Sequence, residues 1–152
     1  MAQSRAISTS LSQIVSKIDR DLTYVRDEFL TRMADDIVET SPVWTGRYVT
    51  SHSIGTTSVA GQFTGNLEGF TEKTSVPDAY KAEARGNLRA DIAKLPKEAE
   101  RVYLNNNSPH AVFVEYLGWP KFGKGPYGVY SQALNRANNH LQDAVNTVKA
   151  RQ

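Results

Sequence analysis

RVYLNNNSPHAVFVEYLGWPKFGKGPYGVY, residues 101–130, is the stretch on which the reading of this chain turns. It opens with alternating apolar residues at Arg101–Leu104, the period of a half-buried strand. Asn105-Asn106-Asn107-Ser108-Pro109 then reads as a turn, because Asn, Ser and Pro each favour bent backbone. Ala111–Leu117 is short enough for a strand or for two helical turns. It is assigned to helix because Val112, Phe113, Tyr116 and Leu117 would share one face. A loop containing Gly118, Gly123, Gly125 and Gly128 follows, and Val129–Lys149 is amphipathic, with Tyr130, Leu134, Ala137, Leu141, Val145 and Val148 as its apolar positions.

Upstream, Ile7–Thr40 reads as one long amphipathic helix. Leu11, Ile14, Val15, Ile18, Leu22, Val25, Phe29, Met33 and Ile37 recur every three or four residues. Its length of about 50 Å exceeds a compact domain of this size, so a kink or an overhang is expected. Pro42 ends it, Thr45-Gly46 makes a turn at which Gly46 takes positive φ, and Arg47–Ser53 reads as a strand from its aromatic and β-branched residues. Residues 55–77 are rich in Gly, Ser and Thr, and are read as a β-hairpin arm with strands Ser58–Phe63 and Leu67–Phe70 around Thr64-Gly65-Asn66. Asp78 caps a helix over Ala79–Lys94, with Tyr80, Ala84, Leu88, Ile92 and Leu95 on one side, and Pro96 stops it. The expected fold is α+β: long first and last helices packed on a small, mainly antiparallel sheet, in a single domain spanning residues 1–152 with an extended arm.

Composition excludes several classes of function. The 152 residues carry 18 basic and 16 acidic side chains, a net charge of +2, too balanced for a strongly basic nucleic-acid binder. No cysteine is present, so there are no disulfide staples and no thiol chemistry. No apolar run reaches membrane-spanning length and the first residues lack a signal-peptide core, so a soluble protein made in a reducing cytosol is expected.

The candidate chemistry is sparse. Gly123-Lys124-Gly125-Pro126-Tyr127-Gly128 fits G-x-G-x-x-G and precedes a helix, and Gly118 to Lys124 fits the start of a P-loop. The parallel βαβ setting and the Mg²⁺-binding hydroxyl are both missing, and Pro126 removes an amide from any phosphate cradle. A loop between packed elements is the better reading, and no cofactor is expected. His52, His110 and His140 fall in different elements with no metal-ligand spacing, so no metal and no catalytic group is assigned. Asp35, Asp36 and Glu39 read as a solvated helix face. Glu115 stands alone in an apolar run and is assigned to an ion pair with Arg47 or a neighbouring subunit. Lys121 and Lys124 alternate with Trp119, Phe122 and Tyr127, a composition that suits nucleic-acid stacking and suits a docking loop equally well. Phe63, Phe70, Glu115, Trp119, Lys121, Phe122, Lys124 and Tyr127 are therefore the candidate partner contacts.

Several of these runs together resemble a known family. Tyr103-Leu104-Asn105-Asn106, Pro109, Val114-Glu115-Tyr116, the Gly/Pro-rich loop and the last helix are similar to the pattern of neck and tail-completion proteins of long-tailed bacteriophages, the group that includes the minor tail protein Z of phage lambda. Ser41-Pro42-Val43-Trp44-Thr45-Gly46-Arg47 resembles the family's Ser-Pro-Val-Asp-Thr-Gly-Arg turn, and Ala82–Ala93 matches its Ala-rich helix in order and length. The chain departs from the pattern at Trp44, where Asp is usual, at His110, where Tyr is usual, and at Leu117, which intervenes before Gly118. The resemblance implies a non-enzymatic virion component, made in the bacterial cytoplasm, whose copies form a hexameric ring at the head–tail junction. The implied partners are the head-closure or connector protein and a tail terminator or tail tube protein, with non-specific contact to packaged DNA.

Two other classes compete with that expectation: a nucleic-acid-binding module using loop 118–128, and a nucleotide-dependent enzyme using the same glycines. Residues 56–77 and 118–128 are further expected to be mobile in a free subunit, because their polar composition offers little apolar burial to offset ordering entropy.

Overall fold

The computed structural model describes residues 2–58 and 73–152, with side chains from residue 12 onward. The strands expected within the arm, together with Phe63 and Phe70, lie outside the described residues. The fold is α+β, and long first and last helices pack with a small antiparallel sheet. In order the elements are α1 (Ala2–Thr40), α2 (Arg47–Thr50), β1 (His52–Gly55), α3 (Pro77–Ala93), β2 (Tyr103–Asn106) and α4 (Val129–Ala150). A π-turn at Phe113–Leu117 and a 3₁₀ turn at Pro120–Phe122 lie between β2 and α4.

Helix α1 is the spine, and α3 and α4 both run antiparallel to it. Arg136, Asp143, Arg151 and Gln152 of the last helix and its end meet Asp36, Arg32, Glu28 and Asp21 in descending order. On the other flank Lys81 and Arg85 reach Glu39, Arg89 reaches Asp35, and Arg26 bonds the Pro96 carbonyl at 2.7 Å. The acidic run at the end of α1, expected to be a solvated face, therefore pairs with both neighbouring helices. Two apolar clusters follow from this arrangement. Leu30, Ala34 and Val38 pack with Val49, Ile54, Ala84, Leu88 and Ile92, while Met33 and Ile37 pack with Tyr48, Val114, Val129 and Ala133.

The apolar periodicity of α1 misplaces its core. Leu30, Ala34 and Val38 are buried, whereas Ile14, Ile18 and Leu22 are 55%, 52% and 62% exposed. At about 100° per residue, Ile18 and Leu30 point roughly a third of a turn apart. The stripe that looks continuous in sequence therefore serves the core only in its second half. The most N-terminal of the cross-helix bonds named above reach Asp21 and Arg26, so roughly twenty residues of α1, about 30 Å of helix, run beyond them. The overhang expected from length alone is present, and it begins within the stripe.

Arg47–Thr50 is helical, and the strand begins only at His52. The β propensity of Tyr-Val-Thr is overridden by burial: a strand would send Tyr48 and Val49 to opposite faces, whereas one helical turn seats them in two adjoining clusters. Gly46 precedes this turn at φ 89°. Thr50 and Ser51 hydroxyls bond back to the carbonyls of Gly46 (2.8 Å) and Arg47 (2.6 Å).

Strand β2 is displaced too, occupying Tyr103–Asn106 rather than Arg101–Leu104. Its antiparallel register pairs His52 with Asn106 and Ile54 with Leu104. Asn105 and Asn106 belong to the sheet because their buried side-chain amides find backbone carbonyls, at Thr57 (3.3 Å) and Tyr48 (2.9 Å). The outer edge of β1 is closed by Asp91 of α3, which accepts the Ile54 amide at 3.0 Å. Helix α3 starts at Pro77, suited to a first helical position, with Val76 as the capping residue and Asp78 inside the first turn. On α4 the buried positions are Val129, Ala133, Ala144 and Val148, while Leu134 and Leu141 face outward.

A Cβ on Gly46 would lie 2.7 Å from the Tyr80 ring, at a φ that L-residues rarely adopt. Gly46→Ala should lower stability by about 1–3 kcal/mol. Gly86, mid-helix with open space around it, should give the opposite sign, a gain of about 0.5–1 kcal/mol for Gly86→Ala. Urea unfolding of the two variants checks both, and equal midpoints would show that neither backbone setting matters.

Candidate functional site

The loop 118–128 is a closed structure. Trp119 and Lys124 pair across it through Trp119 N–H to Lys124 C=O (2.6 Å) and Lys124 N–H to Trp119 C=O (3.2 Å), around the turn at Pro120–Phe122. Gly118 makes the closure possible, at φ 64° and with its α-hydrogens against the backbone of Gly125, where a Cβ would lie 2.5 Å from the carbonyl carbon. Trp119 stacks on Phe113 with centroids 5.8 Å apart, and Trp119 and Tyr127 both pack on the second apolar cluster. Those two aromatics, expected to contact a partner, find apolar surface on their own chain.

The face of the helical turn at Ala111–Leu117 is inverted relative to expectation. Val112, Phe113, Tyr116 and Leu117 are exposed, while Val114 and Glu115 are buried. The reason is a bond from Gly118 N–H to Phe113 C=O at 2.7 Å, five residues back, which widens the turn and swings Glu115 inward. Its carboxylate accepts the amides of Tyr130 (3.0 Å) and Ser131 (2.8 Å) and the Ser131 hydroxyl (2.7 Å). Glu115 therefore supplies the anion that the N-terminus of α4 favours. Expected to pair with Arg47 or with a neighbouring subunit, it is an internal helix cap. The amides of Tyr127 and Gly128 are occupied as well, both by the Val114 carbonyl. The glycine pattern that imitates a phosphate loop is thus filled by the protein's own acceptors.

Behind this turn lies a buried polar network that sequence reading missed. His52 Nε2 is 2.8 Å from Ser41 Oγ, and His52 Nδ1 is 2.8 Å from the Tyr130 hydroxyl and 3.1 Å from Asn106 Nδ2. Asn106 Oδ1 accepts the Ser108 amide, which leaves its Nδ2 toward His52 and Tyr48. An amide nitrogen only donates, so Nδ1 is the acceptor and the ring proton sits on Nε2, donated to Ser41. Ser41 in turn donates to the Ile37 carbonyl at 2.6 Å. Ser41 and His52 have the separation of a nucleophile and its base. They are, however, only 4% and 5% exposed, and the histidine gives its proton toward the serine. The network is structural. Burial lowers the His52 pKa to about 3, and burial raises the pKa of Tyr48 and Tyr130, with the Glu115 charge adding to both. The isolated Asn run and the His between two serines were the only sequence signals for it.

A partly buried charge joins α1 to α4. Asp36 accepts Arg136 Nε at 2.8 Å and meets His140 Nε2 at 2.7 Å. The hydrogen bond from Arg136 holds its carboxyl below the usual aspartate value against the opposing effect of burial. Among the described residues no cluster of three His, Cys, Asp or Glu side chains could hold a metal ion. No helix among them is long and apolar enough to cross a membrane.

Among the open surface features of the described residues is an aromatic-walled groove of about 570 Å³ beside the C-terminal end of α1. Trp44, Tyr48, Val114, Trp119, Phe122 and Tyr127 form most of its wall, with Arg47, His110 and Lys124 adding polar atoms. Lys124 and Lys73 both lie over the Trp44 ring, 5.6 and 5.1 Å from its centroid. Of the candidate contacts, Trp119, Phe122, Lys124 and Tyr127 come together here. Lys121 is exposed outside the groove, and Glu115 is buried behind it. Trp44, noted in the sequence only as a departure from the Ser-Pro-Val turn and not as a contact, completes the wall. Comparisons with protein-family models, curated proteins and solved structures gave no match to this chain.

Glu115→Gln places an N–H₂ group against the α4 amides and should cost about 1–3 kcal/mol, read from urea unfolding. A wild-type midpoint would show that the cap is dispensable. His52 should make folding acid-sensitive. Its folded pKa lies below the unfolded value of about 6.5, so its stabilisation is complete above that value and is lost as pH falls toward 3. Between pH 7.5 and pH 5 the wild type should lose about 2 kcal/mol that His52→Gln does not lose. Parallel stability–pH curves for the two would overturn this assignment.

Proposed function

We propose that this chain is a structural, ring-forming component of the neck of a tailed bacteriophage, joining the head connector to the tail. The observation that carries the reading is the overhang of α1: Ile14, Val15 and Ile18 are exposed beyond Asp21, the most N-terminal of the bonded α1 positions named above, and Leu22 is exposed beside it. A contiguous aliphatic stripe on a projecting helix is a contact surface for another polypeptide. In a small domain whose glycine loop is internally filled and whose Ser–His pair is sealed, that surface favours assembly over chemistry. The resemblance of the Asn-rich run, the Ser-Pro-Val turn and the last helix to neck and tail-completion proteins supplies the setting. In this reading the copies form a hexameric ring that contacts a connector protein on one side and a tail protein on the other.

The nucleic-acid reading has less support. Trp119 and Tyr127 turn toward the core and Lys124 covers Trp44, so Lys121 and Phe122 are the loop's outward pair.

Light scattering and negative-stain microscopy of the purified chain test the proposal. A closed ring is expected, and Ile18→Asp with Leu22→Asp should give monomers whose melting temperature is unchanged, because neither residue belongs to the core. A wild-type chain that stays monomeric at high concentration would overturn the proposal, as would a doubly substituted chain that still forms rings.

A further inference from the structure

Two unfilled apolar surfaces stand at opposite ends of α1. The stripe Ile14, Ile18, Leu22 runs from its projecting half to just past Asp21, and the aromatic groove lies just past its C-terminus at Trp44 and Tyr48. Roughly twenty residues of helix, about 30 Å, separate Ile18 from the end of α1, so a chain cannot place its own stripe in its own groove. The two surfaces are complementary in form. The stripe repeats every four residues, the anchor spacing of an amphipathic helix lying in a groove. The groove is walled by aromatic rings and its volume of about 570 Å³ suits side-chain anchors. In charge the stripe has two edges, Lys17 on one side and Asp19 on the other, and only the Asp19 edge matches a basic groove. Asp19 flanks the stripe, is exposed and has no ion-pair partner among the described residues, while Lys73 and Lys124 stand at the groove over Trp44.

From this we infer that the groove at Trp44, Trp119, Phe122 and Tyr127 receives the Ile14–Leu22 stretch of α1 from a second copy of this chain, with Asp19 meeting Lys73 and Lys124. The inference rests on the assembly reading and specifies its contact. Each copy offers a stripe at one end and a groove at the other, so the interface is heterologous. Such a contact repeats from copy to copy, giving a ring where the rotation closes and a filament where it does not. Phe122 and Tyr127 act here as groove walls, which accounts for the exposure of Phe122 on an otherwise ordered loop.

The test uses two variants of the full chain whose substitutions are all at exposed positions. The stripe variant is Ile18→Asp with Leu22→Asp, and the groove variant is Phe122→Asp with Lys124→Glu. Circular dichroism and melting temperature should match wild type for both. Each variant alone should be monomeric by light scattering. An equimolar mixture should give a heterodimer and nothing larger, because one intact stripe and one intact groove remain. A groove variant that assembles like wild type would overturn this docking while leaving ring formation standing. So would a mixture in which both variants stay monomeric. A wild-type chain that is itself monomeric would overturn both this contact and the assembly reading.

Discussion

Neutral His52 is the point through which the separate parts of this fold are held in register. Its ring bridges Ser41 at the end of α1, Asn106 of β2 and Tyr130 at the start of α4, and its edge lies against Tyr48 of α2, with centroids 5.1 Å apart. Each partner has one donor–acceptor arrangement that satisfies the rest, so the chain runs in a single sense, from Asn106 through His52 and Ser41 to the Ile37 carbonyl. Among the described residues the sheet has two strands of four residues each, which have little independent stability. It is sustained here because His52 and Asn106, directly opposite each other, are also tied to helices on both sides. The cost of leaving any of these buried groups unpaired is what makes the arrangement specific.

Glu115 performs a similar task at the other end of the site. A lone carboxylate in an apolar run would be costly to bury without partners. The widened turn at Phe113–Leu117 delivers it to the one place nearby where three donors converge, the first turn of α4. That single contact positions α4 against the loop, and the loop's position sets the groove. Val114, next in sequence, supplies the carbonyl that receives Tyr127 and Gly128 and packs in the second cluster. The groove is thus the outer surface of an interior held by these polar contacts, with Trp119 and Tyr127 of its wall packed on the second cluster.

Part of this architecture was legible in the chain itself. Pro42 and Pro96 stop the first two long helices because the ring clashes with a helical interior. Gly46 could be assigned positive φ because a helix exit and a new element meet there. The overhang followed from length against domain size. Other readings failed where tertiary burial outweighed local preference. Tyr48-Val49-Thr50 became a helix because two neighbouring side chains had to enter different clusters. Asn105 and Asn106 entered a strand because their amides had buried carbonyls to meet. The outer Leu134 and Leu141 show the same limit on α4, where the apolar pattern is broader than the face that packs.

The sequence by itself determined the three long helices, the stops of the first two near Pro42 and Pro96, and the sparseness of reactive side chains, since those depend on neighbours three or four residues apart and on residue type. It also marked Glu115, Trp119, Phe122, Lys124 and Tyr127 as residues out of keeping with their surroundings. Only the tertiary structure decided what they do. Helical periodicity records that Ile18 and Met33 are apolar, but whether a neighbour covers them depends on where α3 and α4 stop. The groove likewise joins Trp44 to Trp119, seventy-five positions apart. Short-range patterns carry no information about such distances, because the contact is made by packing two helices on a third.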